Sequence, residues 1–433
     1  MAQGEEPMRR PRVLWLFVAC VTGLLVAGAI PGAISSALAA DAAASAEALE
    51  SLRAALAEPG AAVESVAKEA WVDSPLTKAD ALSARDLLWD AHRAAKHAAC
   101  QAEIEARELR DGDLVMPFFM KTFGAKPASG HSLWISLHGG GGAPSRVNDQ
   151  QWENQKKLYK LEEGIYVAPR APTNTWNLWH EAHIDRLFHR LIENLVITGE
   201  VDPNRVYVLG YSAGGDGVYQ LAPRMADHWA AAAMMAGHPN GVSLEPVRNV
   251  PFALQVGALD TAYDRAKIGA DYGRALEAFR AADPNGYETF VKIHEGKGHW
   301  MDRDDAAALP WMVKQIRNPV PDRIVWQPTA SRASSSWLAL PADAPRAGGI
   351  IDARIDGQVI DIFRAEGIET LLIRLDDRMV DCDRPVTIRF GDRVLYAGPV
   401  TRSISTLART LADRGDRELL FPCEITVAIP LGE

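Results

Sequence analysis

The chain has 433 residues, of which 48% are hydrophobic and 24% charged, with a formal net charge of −10. That composition excludes an intrinsically disordered chain and leaves room for two or three domains. An acidic balance without a basic run argues against a nucleic-acid partner, and four cysteines with no Cys-x-x-Cys pair argue against a metal or redox site.

The first 39 residues read as a secretory signal peptide. Arg9, Arg10 and Arg12 precede an uncharged stretch over 13–30, and Ala37-Leu38-Ala39 supplies an Ala-x-Ala cleavage site. The mature chain is expected to be periplasmic or secreted. An uncleaved membrane anchor and lipidation at Cys20 are the alternatives, so a membrane enters only through this segment. Residues 40–113 are rich in Ala, Glu, Leu and Arg, with apolar residues at helical spacing over 46–56 and 81–107 and a break at Pro59-Gly60. They predict a helical N-terminal region packed on the domain that follows, with Cys100 buried on a helix. A spacer or a partner-binding hairpin is the other reading.

Residues 114–318 alternate apolar runs with amphipathic stretches, the latter over 147–162, 184–198, 213–226, 261–282 and 303–317. This alternation predicts crossover units and a mostly parallel sheet covered on both faces. Four pieces of this region belong to one chemistry. Leu133 to Leu137 is an apolar strand that runs into His138-Gly139-Gly140-Gly141-Gly142. Bare backbone of that kind can offer N–H groups to a developing oxyanion, from Gly139 and Gly140. No Gly-Lys-Ser/Thr follows, which sets aside a Walker-type phosphate loop. Arg205 to Leu209 leads straight into Gly210-Tyr211-Ser212-Ala213-Gly214-Gly215. A serine inside Gly-x-Ser-x-Gly, between a strand and a helix, is held on a tight turn where Ser212 serves as nucleophile and Ala213 supplies a further oxyanion N–H. Pro251 to Asp260 reads as a buried strand ending in the acid Asp260, and Gly296-Lys297-Gly298 aims His299 back over the sheet. The chain order Ser212, Asp260, His299 gives nucleophile, acid and base. Asp264 is the competing acid. His294 reads as a packed histidine on its strand. Trp176, Trp179, His180 and His238 lie after other strands at the same sheet edge and are candidate pocket residues, the two tryptophans being equally readable as core caps. Asn148, Asp149 and Trp152 read as loop and helix-start residues.

After Pro319 and Pro321 the pattern changes to short alternating stretches over 350–355, 358–362, 370–375, 386–390, 394–397 and 425–429, with turn signals at Asp356-Gly357 and Gly391-Asp392. These predict a small β-sandwich-like domain over 322–433, either a wall of the cleft or a binding accessory. Cys382 and Cys423 both fall here, as a disulfide or as two buried thiols.

Taken together, His138-Gly139-Gly140-Gly141, Gly210-Tyr211-Ser212-Ala213-Gly214-Gly215, Gly257-Ala258-Leu259-Asp260 and Gly298-His299 resemble an exported α/β-hydrolase of the broad esterase group, which includes polyhydroxyalkanoate depolymerases, feruloyl esterases and hydrolases described as predicted peptidases. The resemblance covers about 115–318. It implies an α/β-hydrolase fold and a serine hydrolase that cleaves carboxylic esters through an acyl-enzyme, with no metal and no organic cofactor. A serine peptidase of the prolyl-oligopeptidase type, and a non-catalytic binding protein on the same scaffold, are the alternatives. Substrate identity and oligomeric state are left open.

Overall fold

A computed structural model describes residues 31–58, 62–344 and 348–430. Of the expected signal peptide, residues 1–30 lie outside the described residues, while the Ala37-Leu38-Ala39 segment falls within the first helix. Among the described residues no helix is long and apolar enough to cross a membrane.

The N-terminal region is helical: α1 (Pro31–Ala57), the short α2 (Val63–Val66) and the long α3 (Lys78–Ala106). Thr77 starts α3 by accepting the N–H of Asp80 at 3.2 Å, and Arg107 ends it in the left-handed region at φ 57°.

An eight-stranded sheet follows, made of β1 (Glu108–Asp111), β2 (Leu114–Phe123), β3 (His131–Leu137), β4 (Gly164–Pro169), β5 (Val201–Tyr211), β6 (Ala231–Met235), β7 (Phe252–Gly257) and β8 (Thr289–His294). Its spatial order is β1-β2-β4-β3-β5-β6-β7-β8. The first two strands run antiparallel to their neighbours, and β4 through β8 join β3 in a parallel array. The helices α4 (Ser145–Gln155), α5 (Ala182–Ile197), α6 (Ala213–Arg224) and α7 (Arg265–Ala282) are the crossovers. This is the α/β-hydrolase fold. The inner strands β3, β4, β6 and β7 are buried along their whole length, as a sheet covered on both faces requires. One face packs Leu187, Phe188, Leu191 and Val218 from α5 and α6; the other packs Tyr159, Met301 and Met312.

Three expectations need correction. The sheet begins at Glu108 and not at residue 114, because β1 pairs with β2 as a hairpin. The helix expected over 147–162 stops at Gln155. The stretch expected as a helix over 303–317 holds only a 3₁₀ turn and the four-residue α8 (Leu309–Met312), because Pro310 and Asn318-Pro319 leave little room for a longer helix.

The C-terminal region forms two sheets around one core. β10 (Ser334–Ser335), β11 (Leu338–Ala339), β14 (Thr370–Leu375) and β17 (Cys423–Ala428) make one. The other holds β9 (Arg323–Trp326), β12 (Ile350–Asp356), β13 (Val359–Glu366), β15 (Val386–Phe390) and β16 (Arg393–Gly398). Trp326, Trp337, Ile360, Ile373 and Ile388 fill the space between them. One helix, α9 (Ile404–Arg414), was not anticipated; Ser403 caps it and Gly415 closes it at φ 56°. Cys382 and Cys423 are buried free thiols, and the neighbouring Cys382 thiol, with burial, pushes the Cys423 thiol up. Cys100 is buried on α3.

The N-terminal helices pack where the two larger regions meet. Leu52, Leu88 and Trp89 share a cluster with Ile197 of α5 and with Ile404, Leu407 and Leu411 of α9. A buried ionic knot joins the hydrolase region to the C-terminal region. Asp227 accepts from the guanidinium of Arg332 at 3.0 Å and from the N–H of Ser336 at 3.0 Å, and it forms an ion pair with the guanidinium of Arg414 at 2.7 Å. Burial alone would raise the Asp227 carboxyl, but Arg414 and Arg332 hold it well below the usual carboxylate range.

Candidate active site

Ser212 sits between β5 and α6 at φ 57° and ψ −123°, a conformation that a non-glycine residue adopts only under strain. The turn is tight enough that a Cβ at Gly210 would enter the carbonyl of Gly214, and one at Gly214 would enter the carbonyl of Leu137. Those two glycines let the serine stand at the tip of β5.

His299 comes from the loop after β8. Its Nε2 is 2.9 Å from Ser212 Oγ, and its Nδ1 is 2.8 Å from Asp260 Oδ2. With a carboxylate as acceptor at Nδ1, that nitrogen carries the proton and Nε2 is free to accept from the serine hydroxyl. Asp260 lies three residues beyond the end of β7 rather than at the strand end, on a turn where its N–H donates to Gly257 O at 3.0 Å. Its side chain is buried while that of His299 is 42% exposed, so the imidazole reaches solvent and the acid does not. Asp264 is exposed at the start of α7 and does not reach the imidazole. His294 is buried and faces Gln255, its Nε2 at 3.0 Å from Gln255 Oε1.

Two contacts hold His299 in place that the sequence did not suggest. Tyr211, beside the serine, donates its hydroxyl to the carbonyl of His299 at 2.6 Å and accepts from the N–H of Met301 at 3.0 Å. The strand that carries Ser212 thereby grips the loop that carries His299.

The glycine loop is shaped from behind. Gly140, Gly141 and Gly142 have φ values of 102°, 78° and 55°, and Gly139 lies against Ser212, whose Cβ would be 3.2 Å from a Cβ there. His138 is buried; Ala171 N–H donates to its Nε2 at 3.1 Å, so Nδ1 carries the proton and donates to Gly139 O at 2.6 Å. A trans peptide points its C=O and N–H in opposite directions. Fixing Gly139 O on the ring therefore turns the Gly140 N–H away from the interior. Burial lowers the His138 pKa to about 4, so the ring stays neutral. Asn148, also buried, accepts the Gly141 N–H at 2.7 Å and donates to Ala143 O at 3.2 Å and to Asn174 Oδ1 at 2.9 Å. The Asn148 contacts make that residue a support of the loop rather than a mere helix-start residue.

The open cleft over Ser212 has a volume of about 700 Å³ and is lined by Gly139, Gly140, Gln151, Asn154, Tyr211 and Trp300 among others. The four residues expected to form a pocket are not in its lining. Trp179 is fully buried, its indole N–H on the carbonyl of His138 at 3.0 Å, so it braces the loop instead of facing substrate. Trp176 is 63% exposed and stacks edge-on to His180. His238, in the loop after β6, is tied to α6 by donating its N–H to Asp216 at 2.6 Å. The cleft is walled by the polar face of α4, a helix whose weak amphipathic pattern carried no signal of that role. Among the described residues no group of three or more His, Cys, Asp or Glu side chains is placed to hold a metal ion.

No family model and no curated protein sequence matches this chain. Solved structures do. A thermostable esterase aligns at 18% identity with a TM-score of 0.36, covering 48% of this chain and 62% of that one. A feruloyl esterase module from Clostridium thermocellum, complexed with sinapinate, aligns at 14% identity and TM-score 0.34, over 47% of this chain and 83% of that one. The enterobactin esterase of Shigella flexneri aligns at 12% identity and TM-score 0.35, over 46% of this chain and 55% of that one. This chain is similar to these esterases in fold, over a little under half its length, and it spans less than two thirds of the thermostable esterase.

Proposed function

We propose that this chain is an exported serine hydrolase that cleaves carboxylic esters, with Ser212 as nucleophile, His299 as general base and acid, and Asp260 as the group that orients the imidazole. The observation that carries the reading is the unbroken hydrogen-bond chain from Ser212 Oγ through His299 to Asp260, beside a bare glycine loop. In the reaction Ser212 Oγ attacks the ester carbonyl as its proton passes to His299 Nε2. The N–H groups of Gly139, Gly140 and Ala213 receive the negative charge on the carbonyl oxygen; one such donor is typically worth about 2.7–4 kcal/mol. His299 then gives the proton to the departing alcohol. A water molecule, deprotonated by the same imidazole, releases the acid from the serine. Export rests on the basic, apolar and Ala-x-Ala pattern of residues 1–39.

The peptidase alternative has less support. Arg170, a candidate for a substrate carboxylate, is buried and already bound to Asp149 at 2.9 Å and to the carbonyl of Ala171 at 2.7 Å. Glu181, a candidate for a substrate amine, lies 3.2 Å from His183.

A fluorophosphonate probe applied to the wild type and to Ser212→Ala tests the proposal, together with turnover of 4-nitrophenyl butanoate. Labelling and turnover by the wild type alone is the expected result. A wild type that is neither labelled nor active would favour a binding protein on this scaffold.

A further inference from the structure

The cleft over Ser212 carries more positive charge than its acidic chain would suggest. Arg303 and Lys157 both line it, one on the loop after His299 and the other just past the end of α4. Among the described residues neither side chain makes a hydrogen bond or an ion pair. Partners are within reach in sequence but are taken. Asp302 and Asp304, which flank Arg303, both pair with Lys297, at 2.9 and 3.0 Å. Asp305 lies close enough to feel Arg303 but accepts the hydroxyl of Tyr159. Glu153 also lines the cleft and is paired with Lys156 at 2.6 Å, which leaves Lys157 alone.

The backbone gives a second reason to look at Arg303. Asp302 and Arg303 stand consecutively in the left-handed region, at φ 54° and 68°. Non-glycine residues are seldom held there, and such strain gathers at functional sites. Here it keeps an unpartnered guanidinium four residues from His299. Arg303 and Leu158 also line a second cleft of about 550 Å³, with Leu161, Leu309 and Val313 on its walls, so the guanidinium stands where the two spaces meet.

We propose that this site prefers esters that carry a second, negatively charged group, a carboxylate above all, and that Arg303 and Lys157 bind it. The proposal rests on the esterase reading of Ser212. A planar guanidinium suits a carboxylate and an ammonium adds a point charge. Both lie near the surface, so the effect is modest and depends on salt.

The test compares charged and neutral substrates of matched shape. On the acyl side these are the 4-nitrophenyl half-ester of glutaric acid and the 4-nitrophenyl ester of glutaramic acid. On the alcohol side they are 4-carboxyphenyl and 4-carbamoylphenyl butanoate. The readout is the ratio of kcat/KM for charged over neutral substrate, divided by the same ratio in the Arg303→Gln, Lys157→Gln double variant, which removes intrinsic reactivity. The expected quotient is about three- to tenfold on one of the two sides at low salt, falling toward one in 0.5 M sodium chloride, with Arg303→Lys retaining most of it. The side that responds shows whether the acyl or the alcohol portion bears the charge. Should the double variant fold poorly, each single substitution supplies the same quotient. A quotient near one on both sides, with the neutral esters still turned over, overturns this proposal and spares the esterase reading. Loss of all ester turnover and of fluorophosphonate labelling in the wild type overturns both.

Discussion

Replacing Asp227 by Asn tests how the two larger regions are joined. The carboxylate is buried, with only 2% of its side chain exposed, and faces the guanidinium groups of Arg332 and Arg414, whose side chains are 10% and 3% exposed. Asparagine keeps the shape but removes the one charge that balances both. Breaking a buried pair by removing one partner typically costs about 3–5 kcal/mol, because the remaining charge is left uncompensated. Unfolding entropy near 2.1 cal/mol/K per residue gives roughly 0.8 kcal/mol/K for a unit of about 390 residues, so Tm should fall by roughly 4–6 °C. Differential scanning calorimetry measures it. The acid limb should move as well. Because the folded carboxyl is held below its unfolded value, its contribution is present above the unfolded pKa and disappears as pH falls through the folded one. Asp227→Asn should therefore lose stability at pH 7 and approach the wild type as pH drops below the ordinary carboxylate range. A Tm within 1 °C of wild type at pH 7, or a deficit that persists unchanged into strong acid, would refute the reading of the knot as an ionic support of the junction.

Other outcomes follow from the site. Asp260→Asn should lower kcat by about 10³–10⁴ with little change in KM, since the amide leaves the imidazole in the wrong tautomer; steady-state kinetics on 4-nitrophenyl butanoate decide it. Tyr211→Phe removes the donor to His299 O and leaves the buried N–H of Met301 without its acceptor. It should cost about 1–3 kcal/mol in urea denaturation and lower kcat more than it raises KM. His138 stays neutral in the fold with a pKa of about 4, against about 6.5 when unfolded. The unfolded chain therefore binds the proton first as pH falls, and stability should decline between about pH 6.5 and pH 4, by about 3 kcal/mol from this residue. His138→Gln should flatten that decline in urea midpoints taken at pH 7.5 and pH 4.5; an unchanged slope would show the ring titrating freely.

Much of the architecture was legible because a sheet buried on both faces writes itself as continuous apolar runs, and β3, β6 and β7 are of that kind. The paired turns Asp356-Gly357 and Gly391-Asp392 marked hairpins in the same direct way. What stayed hidden depends on long-range contact. The four-residue β1 is defined only by its pairing with β2. The docking of α9 appears only once Leu407 and Leu411 meet α3 and α1. At the site, Ser212, His299 and Asp260 could be named because short glycine-rich turns carry them. The walls could not. Trp179 reads the same in sequence whether it faces ligand or backs the His138 carbonyl, and a helix rich in Gln and Asn gives no apolar stripe to reveal that its wet side borders the cleft over Ser212.

The shared cluster of α1, α3, α5 and α9 has a practical outcome for anyone cutting this chain. The opening helices cover one another and complete their shared core with side chains from both the middle and the closing stretch of the sequence. A fragment ended near Pro319 would strip Ile404, Leu407 and Leu411 from Leu52 and Leu88 and leave a greasy scar in water. Neither the hydrolase half nor the tail can be excised as a tidy module, and recombinant pieces split at that proline pair should clump while the uncut protein stays dispersed.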